Sequence, residues 1–181
     1  AGKLLVAMPG MGDPRFTRSV VYIGTHSEDG AMGLIINKPN PKVELKTLLG
    51  YLDITTGPST PNISVHFGGP VEQSRGFLLH SAEYTGDPDT LRINTDFALT
   101  ATVDILKKLS EGDGPKISLL ALGYSGWAAG QLEAELLANG WLICDASFEI
   151  VFGLADVDKW AMALNSLGID PLLLSAQSGR A

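Results

Sequence analysis

Arg18–Lys38 reads "RSVVYIGTHSEDGAMGLIINK", two β-rich runs around the short polar link "SEDG". The Asp29-Gly30 pair is a hairpin signal, because glycine readily takes the positive φ that tight turns between strands require. Val20-Val21 and Leu34-Ile35-Ile36 are apolar at consecutive positions, which predicts strands covered on both faces. Strands paired as hairpins, with helices between them, point to an α+β fold rather than a doubly wound parallel sheet.

Working outward, "KLLVA" (Lys3–Ala7) reads as a buried strand. The loop "PGMGDPRF" follows, where Gly10, Gly12 and Asp13-Pro14 break regular structure. Downstream, Leu45, Leu48, Leu49 and Leu52 form the stripe of a short amphipathic helix. A polar loop from Thr55 to Asn62 leads to two strands, "ISVHF" and "GFLLHS", around a glycine-rich corner at "GGPVEQSR" (Gly68–Arg75). Leu99, Val103, Leu106 and Ser110 predict the face of a helix that "EGDGP" ends. The strand "KISLLALGY" is expected to run through "SGW" straight into an amphipathic helix, "AAGQLEAELLANG", closed by Asn139-Gly140. "WLICDA" is a further strand. A last helix carries Val157, Trp160, Ala161, Leu164 and Leu167 on one side, with Asp156 as N-cap. With no repeat or long linker, residues 1–174 read as one domain, and residues 175–181 as a frayed tail.

The chain has 181 residues, enough for one sizeable core. No apolar run approaches the ~20 residues of a membrane span, and no secretory signal pattern is visible, so the expected compartment is the cytoplasm. A lone cysteine, Cys144, excludes an intrachain disulfide and a thiolate zinc cage. The net charge of −7, from 13 Lys+Arg and 20 Asp+Glu, disfavours direct nucleic-acid binding.

Three stretches tempt a catalytic or ligand reading. "GGPVEQSRG" lacks both phosphate-loop spacings, and Pro70 removes one N–H donor; a tight corner between strands accounts for its glycines better. His66 and His80 would not face each other across a simple hairpin, so metal is the minority reading for the histidines. "GYSGW" (Gly123–Trp127) has the strand–turn–helix context of a nucleophile elbow, but Trp127 stands where a glycine is needed. Glu133 and Glu135, two apart on a helix, point to different sides. Gln131 and Glu135 share a face, read as a solvated one. Cys144, among apolar neighbours, reads as a small hydrophobe.

Three segments together, "LLVAMPGMGDPRFTRSVVYIGTHSEDGAMGLIINKP", "FGGPVEQSRGFLLH" and "LGYSGWAAGQLEAELLANGWL", resemble the AlgH/YqgE family of small bacterial proteins, over about Leu4 to Phe152. The resemblance implies an α+β domain whose strongly bent, largely antiparallel sheet closes towards a barrel with helices outside. It also brings the label of transcriptional regulator, without a mechanism. The family pattern covers Met8, Pro9, Asp13, Pro14 and Phe16, then His26, Gly30, Gly33, Asn37 and Pro39. It continues with Gly68, Gly69, Pro70, Val71, Arg75 and His80, and ends with Gly123, Tyr124, Gly126, Trp127, Gly130–Glu133 and Trp141. Two departures stand out: Ser125, where alanine is usual, and "DAS" (Asp145–Ser147), where the family tends to Pro-Ala-Asp.

The expected function is therefore a regulatory or interaction protein that binds a protein partner or small ligand, without cofactor, metal or membrane. The candidate binding surface is Asp13, Gly68, Gly69, Arg75, His80, Tyr124, Trp127 and Gln131, drawn from loops that a curled sheet gathers on one face. The alternative is a small hydrolase using Ser125 or a histidine-assisted water.

Overall fold

The structure is a computed structural model that describes residues 1–177. Its strands are β1 (Lys3–Ala7), β2 (Val20–Ser27), β3 (Gly30–Ile35), β4 (Val65–Phe67), β5 (Val71–Ser81), β6 (Leu91–Arg92), β7 (Phe97–Thr100), β8 (Ser118–Ala128) and β9 (Trp141–Asp145). The α-helices are α1 (Leu45–Tyr51), α2 (Val103–Glu111), α3 (Gln131–Leu137), α4 (Asp156–Ser166) and α5 (Pro171–Gln177). The described residues divide into two compact units: unit 1 is Ala1–Lys38 with the described residues from Ser125 onward, and unit 2 is Pro39–Tyr124.

In unit 1 the end of β8 pairs with β3, and the antiparallel order continues through β2 and β1 to β9. The β2–β3 hairpin forms as predicted, with Ser27 opposite Gly30. Gly30 has a φ of 137°, and a Cβ there would meet the Trp127 carbonyl oxygen at 2.2 Å, so only glycine fits. Between Ile23 and Thr25 the ladder slips, a bulge that bends β2. Val20, Val21, Tyr22 and Ile23 are all buried, as two-sided cover requires. On β1 and β2 lies α4, with Trp160, Ala163 and Leu164 buried and the Trp160 indole donating to the Ala7 carbonyl at 2.8 Å.

In unit 2, β6, β7, β5 and the first part of β8 form an antiparallel run. The glycine-rich corner at "GGPVEQSR" does not close a simple hairpin, since both flanking strands pair with β8. Val65 pairs parallel with Leu120, and Leu78 pairs antiparallel with the same residue, so β8 lies between β4 and β5. Gly68–Pro70 carries the chain across β8, backbone on backbone. A Cβ on Gly68 would meet the Gly123 carbonyl at 2.2 Å, and one on Gly123, whose φ is +72°, the Gly69 carbonyl at 2.5 Å. From Val71 to Gly76, β5 bulges away from its partner. Leu45, Leu49, Val65, Leu78, Ile105, Leu106, Leu109 and Leu120 close the core of this unit.

The predicted α+β class holds, with a sheet that is antiparallel apart from β4 and is curled by bulges in β2 and β5. Other expectations need correction. Leu99 lies in β7, because Thr102 caps α2 only after it. "GYSGW" is strand rather than turn, because β3 extends the ladder to Ala128. The following helix therefore starts only at Gln131. In α4, Val157 is 86% exposed, and Ala155 rather than Asp156 is the N-cap. A π-helical turn, Glu149–Gly153, and α5 add to the predicted elements. The expected frayed tail lies outside the described residues from 178 onward, and its first three residues belong to α5.

Candidate functional site

Unit 1 concentrates aromatic and polar side chains around the glycine-rich loop Met8–Phe16. The loop is tied down at both ends. The Met8 amide donates to the Gly140 carbonyl at 3.0 Å, and the Ser19 amide to the Phe16 carbonyl at 2.9 Å. Phe16 packs edge-on to Trp141 with ring centroids 5.5 Å apart, and Trp141 edge-on to Trp127 at 5.9 Å. Both indoles point their N–H groups at one carboxylate oxygen of Glu135, at 2.9 Å from Trp127 and 2.8 Å from Trp141. The other oxygen accepts from the Gln131 amide at 2.9 Å, and Gln131 in turn accepts from the Ala128 backbone N–H at 3.0 Å. A buried tryptophan needs a partner for its N–H; here one glutamate serves two, and so locks β8, α3 and β9 around the loop.

On the loop itself, Asp13 caps the 3₁₀ turn Pro14–Phe16 through the Arg15 amide. Its carboxylate also grips the Arg15 guanidinium, at 3.0 and 3.1 Å to Nε and 2.6 Å to Nη2. These bonds hold the Asp13 carboxyl below the usual carboxylate range. Lys38 donates to the Arg15 carbonyl at 2.6 Å. On the exposed side of α3, Glu133 meets His26 Nε2 at 2.6 Å.

Unit 2 holds the other candidates in two places. Arg75 lies over the Phe77 ring at 5.1 Å and pairs with Glu72 at 3.1 Å, while Tyr124 packs edge-on to Phe77 at 5.7 Å. Val71–Arg75, the bulged part of β5, is exposed. His80 sits elsewhere on the same strand, opposite Ser118. It is 0% exposed. Its Nδ1 can only donate to the Ser81 carbonyl, at 3.0 Å, so the neutral ring accepts at Nε2 from the Thr100 hydroxyl, at 2.9 Å. The Thr100 oxygen then accepts from Thr90, at 2.7 Å. Burial pushes the His80 pKa down.

Of the eight predicted surface residues, then, Trp127 and Gln131 meet at Glu135 in unit 1, Asp13 is engaged with Arg15 on the loop of the same unit, and Arg75 and Tyr124 meet at Phe77 in unit 2. His80 and Trp127 are both buried; Trp127 is only 6% exposed, because its indole faces Glu135. Gly68 and Gly69 are buried at the chain crossing. Ser125 is 1% exposed, within β8 and opposite Gly33, and is not raised on an elbow. Cys144 is buried, and burial pushes its thiol up. Glu135, Arg15 and Trp141 were not among the candidates. The Gln131–Glu135 spacing was visible, and two indole N–H groups in need of acceptors were the unused signal. Among the described residues, no cluster of three His, Cys, Asp or Glu side chains is placed to hold a metal ion, and no helix is long and apolar enough to cross a membrane.

Comparison with known proteins extends over nearly the whole chain. The family model described as AlgH-like matches residues 4–172. A UPF0301 protein of Ruegeria pomeroyi is 54% identical, covering 99% of this chain and 98% of its own. One of Paracoccus denitrificans is 52% identical, with 99% and 96% covered. The solution structure of the AlgH protein from Pseudomonas aeruginosa superposes with a TM-score of 0.82 at 41% identity, over 99% of this chain and 95% of that one. A protein from Corynebacterium diphtheriae shares the fold, with a TM-score of 0.74 at 22% identity, covering 99% and 91%.

Proposed function

This chain belongs to the AlgH-like family, and we propose that it acts by binding a protein partner or small ligand without turnover, in a regulatory or interaction role. The recognition face in this reading is the loop Met8–Phe16 with Gln131 beside it, and Arg75 on the β5 bulge is a second contact. One observation carries the reading: the loop is pre-set, clamped by Phe16 on Trp141 and by two indoles on Glu135, with the Asp13–Arg15 fork at its surface. A loop already held in shape loses little conformational entropy when a partner docks, which is what a recognition loop on a rigid scaffold gains. A role in transcription, on this view, runs through a protein contact, since a net charge of −7 opposes the DNA backbone. A cytoplasmic setting suits the single unpaired thiol of Cys144.

The test is affinity capture from a native-like lysate with wild type and an Arg15→Ala/Gln131→Ala double variant, with Arg75→Ala as a separate arm. Both changes in the double variant are on exposed side chains, so its melting temperature should stay near that of wild type. Proteins or ligands retained by wild type should be lost from the double variant. An identical retained set from a folded double variant overturns the assignment of this face.

A further inference from the structure

A second site in unit 1 uses none of the recognition residues. Arg18, Asn37, Lys38, Asp156 and Trp160 line a cleft of about 300 Å³, the lower end of the range for small-ligand pockets. We propose that this cleft binds a small dianionic oxyanion, the phosphate monoester of a soluble metabolite.

The charge count around the cleft leads there. The Arg18 guanidinium lies 4.6 Å from the centre of the Trp160 ring, a stacking that orients the planar group while leaving its edge donors for an acceptor. Among the described residues it makes no ion pair. Lys38 gives one N–H to the Arg15 carbonyl, which leaves two, and it too has no ion pair among the described residues. Burial pushes its ammonium below the ordinary lysine range, against the opposing pull of the Asp13 carboxylate, which is itself held by Arg15. Among the described residues, Asp156 is the one carboxylate lining the cleft, and it bonds Lys159 at 3.0 Å. That ammonium is buried and also donates to the Ile36 carbonyl at 2.9 Å. Asp156 and Lys159 offset one another, and among the described lining residues the charges of Arg18 and Lys38 remain, in a chain whose net charge is −7.

The site is also built in advance. Arg18 has a φ of 53°, in the left-handed region that side-chain-bearing residues avoid. Asn37 holds it there, donating to the Arg18 carbonyl at 2.9 Å and accepting from the Val20 amide at 2.8 Å. Strain retained at a non-glycine residue is common where a side chain must be aimed. A phosphate monoester satisfies both cations at once and matches the planar fork of arginine. A monocarboxylate would leave one cation unneutralised.

The inference does not depend on the recognition reading, because its test needs no partner. Inorganic phosphate and glycerol 3-phosphate are titrated into the isotope-labelled protein at about pH 8, above the second phosphate ionisation, with sodium chloride at matched ionic strength as control. Saturable shifts are expected at the amides of Arg18 and Lys38 and at the Trp160 indole. Acetate should bind about tenfold more weakly, and Arg18→Gln and Lys38→Gln should each weaken phosphate by about tenfold, the loss of one charge-assisted contact. Phosphate shifts no larger than those of chloride overturn the proposal, and the wild-type arm decides this even if a variant misfolds. Affinity undiminished in both folded variants, or acetate as tight as phosphate, also overturns it. So does capture on vesicles containing phosphatidic acid without any binding of glycerol 3-phosphate.

Discussion

His80 has no exposed surface, yet it carries a titratable ring whose two nitrogens are both bonded inside unit 2. Burial lowers its pKa below the ordinary 6.5, so the unfolded chain takes up a proton first as the pH falls. The stability held by the neutral ring is complete above about pH 6.5 and is lost as the pH drops through the interval down to the folded value. The lowered carboxyls of Asp13, Glu83 and Glu133 act in the same direction, but only below about pH 4.5. Urea unfolding at about pH 7.5 and 5.5 should show wild type losing stability in the higher window and His80→Asn losing less. Equal losses would mean that this ring is not the sensor. In "GFLLH" nothing local separates a surface histidine from a core one. The choice comes from β7 and β8, which pair with both sides of His80.

Among the elements, the glycine crossing of unit 2 gives the clearest consequence. Gly68, Gly69 and Gly123 let β4 pass over β8 to reach β5, and two of them face backbone oxygens closer than any Cβ tolerates. Gly68→Ala and Gly123→Ala should each cost about 3 kcal/mol or more, since backbone rather than a side chain must move. Gly130→Ala, at a φ of 74° with nothing near, should cost only about 1 kcal/mol. Urea midpoints rank the three, and parity between Gly123→Ala and Gly130→Ala would remove the close-approach argument. Glycine density did mark this stretch as structural. The partner strand was not legible, because the β4–β8 and β5–β8 ladders join residues about 40 or more positions apart. The same limit turned "GYSGW" from an apparent turn into strand: its ladder partner, β3, lies far upstream.

For the molecule as a whole, a net charge of −7 coexists with a small cationic cleft in unit 1. The cleft is too small to track a phosphate backbone. Fluorescence anisotropy should therefore show no saturable binding to duplex DNA between about 50 and 200 mM salt, the range over which phosphate-bound complexes weaken steeply. Tight, salt-sensitive binding would return direct DNA contact to consideration. The amino-acid sequence by itself determined the α+β class, the β2–β3 hairpin, the absence of an intrachain disulfide and the charge balance. These follow from short-range periodicity, turn chemistry and composition. Only the tertiary structure decided that His80 and Trp127 are buried, that two indoles share Glu135, and that Arg18, Lys38 and Trp160 surround one cleft. Such groupings depend on parts of the chain far apart in sequence meeting, as the Lys159 ammonium meets the Ile36 carbonyl across 123 positions, and no local pattern encodes which distant surfaces will pack.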